Sequence, residues 1–419
     1  MPQNPPVPSK YTLAIVFAIV LIDMIGVGVL VPIIPLLLTD PNYPYHLDVA
    51  IAGGYVLLGA LTAIYPFMQF LATPILGQIS DHVGRKPVLA ISLAGTSLSY
   101  VVFAVGIITK NIPLLFISRA VDGITGGNIA VAQAAIADAT APAKRARAFG
   151  LMGAAFGLGF IIGPFLGGRL ADPSIVPWFN ATTPFWFAAI LSALNMLAVL
   201  FLFKETLAQK TKGSIHWAQS FINIRAATMK PGLRALFGTS FLFTSGFTFF
   251  TTFFGVYLIK KFGFNQAGIG DFFALVGICV ALTQAFVTGF VGKRFKPYAI
   301  LTVSLFGVGT TLFFFWLAHV SWLLYLITIP NAMFIGLIMA NLNGLISRSA
   351  GPQEQGTVLG IGASVQALAQ SIPPVIAGFI AVAFAPEVPL IIASIIVYIA
   401  AVVFFLTAKR VTQGTPAHP

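Results

Sequence analysis

Long apolar runs fill the chain, interrupted at short intervals by charged residues, prolines and glycines. The first run, Tyr11 to Leu38, carries a single ionisable residue, Asp23. A stretch of about 18 apolar residues or more can cross a bilayer as a helix. With charges and Pro/Gly breaks as boundaries, the pattern predicts six spans at 11–38, 51–77, 87–108, 113–138, 147–171 and 183–203. Six more follow at 234–259, 266–292, 298–318, 322–346, 356–383 and 389–406. The longest polar stretch, between spans six and seven, contains Trp217 and Phe221, which predict a helix lying along the membrane surface for part of its length. The expected division is a six-helix bundle at 1–203, a linker at 204–233 and a second bundle at 234–419. The fold class is all-α and integral to the membrane.

Composition agrees: charged residues make up 8% of the chain and hydrophobic ones 58%, far from the quarter or so charged in soluble domains. The net charge of +12 lies in loops rather than on a nucleic-acid face, so no nucleic-acid partner is expected. Of the Lys and Arg residues, Lys110, Arg169, Lys260 and Lys261 fall on the side opposite the termini and Arg119 within a span; the others line the termini side. That bias predicts cytoplasmic termini. The short loops suit a bacterial inner (plasma) membrane, and the first run is too long for a signal peptide. Cys279, inside a span, is the only cysteine, so no disulfide framework exists. An enzyme would need a nucleophile–base or metal-ligand set at depth, and no His or Glu falls within a span. Neither metal nor cofactor is expected, and a monomer suffices.

The two halves repeat. A shift of 210 places Pro142 on Pro352, Gly150 on Gly360 and Gly168 on Gly378; upstream, a shift of 215 aligns Gln69 with Gln284 and Gly77 with Gly292. The change of offset is a loop shortened in the second half. Parallel six-helix repeats imply a two-fold pseudo-axis along the membrane normal and a midplane site between halves that rock.

Candidate chemistry starts at Asp23. An aspartate at mid-span costs about 3 kcal/mol or more against lipid, so it should face the bundle interior or a wet cavity. Its surroundings, Gly26, Gly28, Pro32 and Pro35, permit close helix approach and bending. Two readings fit: a structural Asp at a kink, or a proton or substrate site. In span four, Arg119 and Asp122 stand three apart and share a face. By helical rise they lie about 9 and 14 Å from the outer end, a depth that Asp23, about 18 Å from its inner end, can share. A carboxyl shut away from water favours its neutral form, one beside an arginine its ionised form. An Arg119 moving between Asp23 and Asp122 would load and release a proton; a static Arg–Asp pair is the alternative.

Three motifs bring a family into view: Gly77-Gln-Ile-Ser-Asp81-His-Val-Gly84-Arg85-Lys86, Arg119-Ala-Val-Asp122-Gly123, and Gly159-Phe-Ile-Ile-Gly163-Pro164-Phe-Leu-Gly167-Gly168. In order and placement they resemble the cytoplasmic-loop, fourth-helix and antiporter motifs of the major facilitator superfamily. The stretch around Asp23, Asp122-Gly-Ile-Thr-Gly126 and Ile136-Ala-Asp138 look like the tetracycline/proton antiporters. Physically, the glycines of the first motif allow a tight turn, Asp81 can cap a helix N-terminus, and Arg85 can pair with Asp138. The resemblance implies that this pairing latches the halves together when the cytoplasmic side is closed. The corresponding second-half loop, Gly292 to Pro297, lacks the aspartate, so the latch would be asymmetric. Gly159, Gly163 and Gly167 form one stripe suited to close packing; only the resemblance ties it to exchange. Asp122 departs from the family, where Gln or a small residue is commoner. Span eight has Val280 where tetracycline antiporters carry a histidine, which puts tetracycline itself in question.

The second half has no deep charge. Gln284, Asn331, Asn341, Gln366 and Phe247, with Gln69, Asn128 and Gln133 from the first half, are candidates to line a cavity for flat, apolar substrates. Asp271 should sit at the outer mouth. The expected function is proton-coupled export of small amphipathic compounds, with Asp23, Arg119 and Asp122 coupling the proton. Proton symport or export of an endogenous metabolite is the alternative.

Overall fold

A computed structural model describes residues 11–140, 145–211, 214–229, 231–349 and 355–413. Pro142 and Pro352, used above to align the repeat, lie outside these. Twelve helices are long and apolar enough to span a membrane. In the first half they are Thr12–Thr39, Ile51–Val83, Arg85–Ile108, Ile112–Ala139, Ala148–Leu170 and Thr183–Leu202. In the second they are Leu233–Phe262, Gln266–Gly292, Pro297–Leu317, Ser321–Ile346, Gly360–Ala383 and Val388–Thr407. A separate helix, Gln219–Met229, lies in the linker. The seventh helix begins at Pro231, inside the range expected for the linker.

The packing map repeats when six is added to each span number. Spans one and five, one and six, three and four, and three and six pack together, as do seven and eleven, seven and twelve, nine and ten, and nine and twelve. These are two six-helix bundles of one design. They meet along spans two and eleven and along spans five and eight. Span seven is the most deeply packed, its Phe250 and Phe254 forming an aromatic core with Phe272 and Phe315.

Three spans are irregular. Span one breaks between Val29 and Ile34, where Pro32 lacks a donor and Pro35 opens the next helical segment. Span four, expected as one helix, breaks at Gly126 and Gly127. The Gly126 carbonyl accepts a hydrogen bond from Gln69 Nε2 at 3.0 Å. Span eight contains a π-helical turn, Thr283–Val287. Freed backbone groups at membrane depth need such partners or a cavity.

The bundles approach closely only in the half opposite the termini. There, a methyl at Gly270 would lie 2.5 Å from the Pro164 carbonyl oxygen, and one at Gly378 2.7 Å from that of Tyr55. Tyr55 and Phe253 also meet there, ring centroids 6.0 Å apart. Toward the termini, a methyl at Gly150, Gly153 or Gly157 of span five or at Gly289 of span eight would meet nothing within 4 Å among the described residues. Spans five and eight therefore diverge toward the termini-bearing face.

Candidate functional site

The broken segments of spans one and four converge on one buried polar cluster. Arg119 Nη1 donates to Asp122 Oδ2 at 2.5 Å, the pairing that their spacing on one helix face allows. The guanidinium lies over the Tyr65 ring of span two, 4.5 Å from its centroid. Gln69, one turn on, donates to the Tyr65 hydroxyl at 3.3 Å. Tyr100 of span three sits directly on the backbone of Gly26, which explains a glycine one turn from Asp23. Neither tyrosine was anticipated, although a phenol at mid-span is itself a polar signal.

Asp23, 3% exposed, has no hydrogen-bond partner on either oxygen among the described residues. The amide of Asn128, at the start of the second segment of span four, approaches it without completing a bond. Arg119 Nε is likewise unpaired. An unpaired buried carboxylate anion costs several kcal/mol, so this arrangement accommodates Asp23 as the neutral acid. Arg119 is committed to the other aspartate. The cluster thus has one compensated acid and one uncompensated acid.

The antiporter-type motif sits directly behind this cluster. Gly159, Gly163 and Gly167 face span one: a methyl at Gly163 would lie 2.7 Å from the Ile25 carbonyl oxygen, and Gly28 packs against Pro164. Gly168, on another face, abuts Gln266 and Ala267 of span eight. One residue further, Arg169 forms a two-point ion pair with Asp271 across the bundles, Nε to Oδ1 at 3.1 Å and Nη2 to Oδ2 at 2.6 Å. Asp271 lies near the start of span eight, on the face opposite the termini, and its partnership was not read from the sequence.

The termini-side motif corrects three expectations. Span two continues as a helix to Val83, so Gly77 and Asp81 are helical, and the turn is Gly84 alone with φ +118°. That left-handed value favours glycine. Asp81 caps no helix among the described residues; it pairs with Arg85 at 2.6 Å, and Arg85 Nε donates to Asp138 at 3.0 Å. Arg85, Asp81 and Asp138 all belong to the first bundle, so this network braces one bundle and does not bridge the two. The cap comes from Glu205, after span six, which accepts from the backbone N–H groups of Arg85 at 2.9 Å and Lys86 at 3.1 Å. Desolvation works against the Glu205 carboxylate, but four backbone N–H donors outweigh it and hold the group below the usual glutamate range. In the second bundle Arg294 stacks over Phe290, 4.3 Å from its centroid, and pairs with no carboxylate among the described residues.

The second-half candidates are dispersed. Gln284 is exposed on the π-turn and Gln366 is exposed on span eleven. Asn341 donates to Leu337 O of its own helix at 2.8 Å, and Asn331 donates to Thr311 within its bundle at 2.7 Å. Phe247 stacks on Phe243 at 6.1 Å, and Gln133 is half-buried.

Comparison with known proteins fits this geometry. A family model described as Major Facilitator Superfamily matches residues 16–374 and 236–418. The class C tetracycline resistance protein of Escherichia coli is 35% identical over 374 residues, covering 88% of this chain and 89% of that protein. The class D protein of Salmonella ordonez is 32% identical over 375 residues, covering 87% and 88%. Among solved structures, the human organic anion transporter MFSD10 (TETRAN) superposes with a TM-score of 0.71 at 23% identity, covering 96% of this chain and all of that one. A bacterial homolog of the human lysosomal transporter Spinster, in an inward-facing and occupied conformation, gives 0.78 at 14% identity, covering 99% and 100%.

Proposed function

The chain belongs to the Major Facilitator Superfamily, and from that premise we propose that it exports small amphipathic compounds in exchange for protons. It is a multi-pass membrane transporter in a family of transporters rather than enzymes. The observation that carries the proposal is Asp23: a buried carboxyl without a donor, beside an arginine already held by Asp122. Such a group binds a proton when shut away and releases it when an arginine or water reaches it. In the cycle we propose, proton release from Asp23 accompanies transfer of Arg119 between the acids, and the substrate occupies the space between the bundles. The termini lie on the cytoplasmic side, so the open face receives compounds from within. The identity to tetracycline resistance proteins supports drug-like cargo, while Val280 in span eight leaves tetracycline one candidate among several.

Inverted vesicles with an acidic lumen and a pH-sensitive dye provide the test. Antiport predicts that a transported compound alkalises the lumen as it accumulates. Symport would instead carry protons in the same direction as the substrate, so uptake of the compound would acidify the lumen. Failure of every member of a broad panel of amphipathic amines, acids and polyketides to move the signal would refute proton-coupled export.

A further inference from the structure

The linker helix Gln219–Met229 has two different faces. Ser220, Asn223 and Ala227, at i, i+3 and i+7, are buried. Ser220 Oγ donates to the Phe70 carbonyl of span two at 2.5 Å, and Asn223 Nδ2 donates to Ser364 Oγ of span eleven at 3.0 Å. The helix is therefore seated on both bundles at once. The opposite face carries Met229, 62% exposed, and the exposed Ile222 and Arg225; at its edge Phe221, 59% exposed, also meets the Phe70 ring edge-on at 5.4 Å. Arg225 makes no ion pair among the described residues.

The seat fixes the depth of this helix. Phe70 is about 28 Å along span two from Ile51, and Ser364 about 28 Å along span eleven from Ala383, at 1.5 Å per residue. Against a hydrocarbon core of ~30 Å, both anchor points fall at its termini-side boundary. Span two runs on for three more turns to Val83, so the linker helix lies beside the bundles rather than beneath them. A face with three large apolar side chains and one cation, at that level, matches the boundary between acyl chains and phosphates. Trp217, just before the helix and 71% exposed, is the residue type enriched there.

We propose that Gln219–Met229 is an interfacial strut, anchored in the phospholipid headgroup layer by Phe221, Ile222, Arg225 and Met229 and fastened to spans two and eleven by Ser220 and Asn223. This does not depend on the transported compound. The test uses the full chain in liposomes with Cys279→Ser and one new cysteine, at Ile222 or at the exposed loop residue Gln209, carrying an environment-sensitive fluorophore. At 222 the label should be blue-shifted, and quenched by nitroxide lipids about three-fold more strongly than at 209. Iodide should show the reverse order. A label at 222 as open to iodide as that at 209 would overturn membrane anchoring. A spin label at 222 supplies the second measurement. Adding Ser220→Ala and Asn223→Ala should raise its mobility at least about two-fold by freeing the seat. Unchanged mobility would overturn the strut's attachment to the bundles.

Discussion

Asp23 and Arg119 are asymmetric partners at the scale of single residues. Both acids of the cluster are buried, but the Arg119 guanidinium within it is donated to Asp122. Asp23→Asn keeps the size and polarity of the side chain and removes the exchangeable proton. It is expected to leave the melting temperature within a few degrees while abolishing gradient-driven accumulation, with substrate equilibration intact. Vesicle assays with and without a pH gradient separate these effects. If Asp23→Asn still concentrates substrate against a gradient, Asp23 does not couple. Glu205 makes a second, independent point. Its folded-state pKa is depressed, so its stabilisation is complete above the usual glutamate range and vanishes as pH falls through the lower folded value. Glu205→Gln is expected to cost about 1 kcal/mol near neutral pH, the worth of a helix cap. The difference in melting temperature from wild type should shrink as pH drops below that range.

Among whole elements, span five depends most on backbone contact. Its stripe meets the carbonyls and Cα atoms of span one, not flexible side-chain ends. Gly163→Ala would force the helices apart at the level of Ile25 and Gly28, just past Asp23. Overpacking of this kind costs about 1–3 kcal/mol. Lower thermal stability in detergent, together with slower transport, is the expected outcome; an unchanged melting curve would show that the contact yields freely. The elements also show what the chain made legible. Continuous apolar sequence marked all twelve spans, because crossing a bilayer leaves the composition no alternative. The end of span two escaped, since Gln78, Ser80, Asp81 and His82 extend the helix beyond the apolar region with no hydrophobic signal. Arg119–Asp122 was readable from its three-residue spacing, and Arg85–Asp138 from two span ends on one side. The Glu205 cap joins residues 120 positions apart and has no local pattern. The break at Gly126 shows itself only in the side chain of Gln69, brought from another span.

For the molecule as a whole, the question is what holds the closed face shut. Bundle rocking requires the contacts opposite the termini to separate, and Arg169–Asp271 is an ion pair that crosses the two bundles there. It stands beside a close backbone approach, Gly168 against Gln266 and Gly270 against Pro164. The side chains are 43% and 39% exposed, so the pair is worth only about 0.2–1 kcal/mol. That is too little to fold the protein, yet enough to shift a two-state ratio by up to about five-fold. Spin labels at Ile175 and Val320, exposed loop positions on this face in different bundles, report the separation in a Cys279→Ser background. Arg169→Glu and Asp271→Arg, each alone, should increase the long-distance population by a few-fold. The double swap should return it to the wild-type distribution. Lys110→Gln breaks the Lys110–Asp48 pair on the same face but within one bundle, and should leave the distances unchanged. If the single variants have no effect, glycine packing alone closes this face; if the swap fails to restore it, the two charges do not act as a pair.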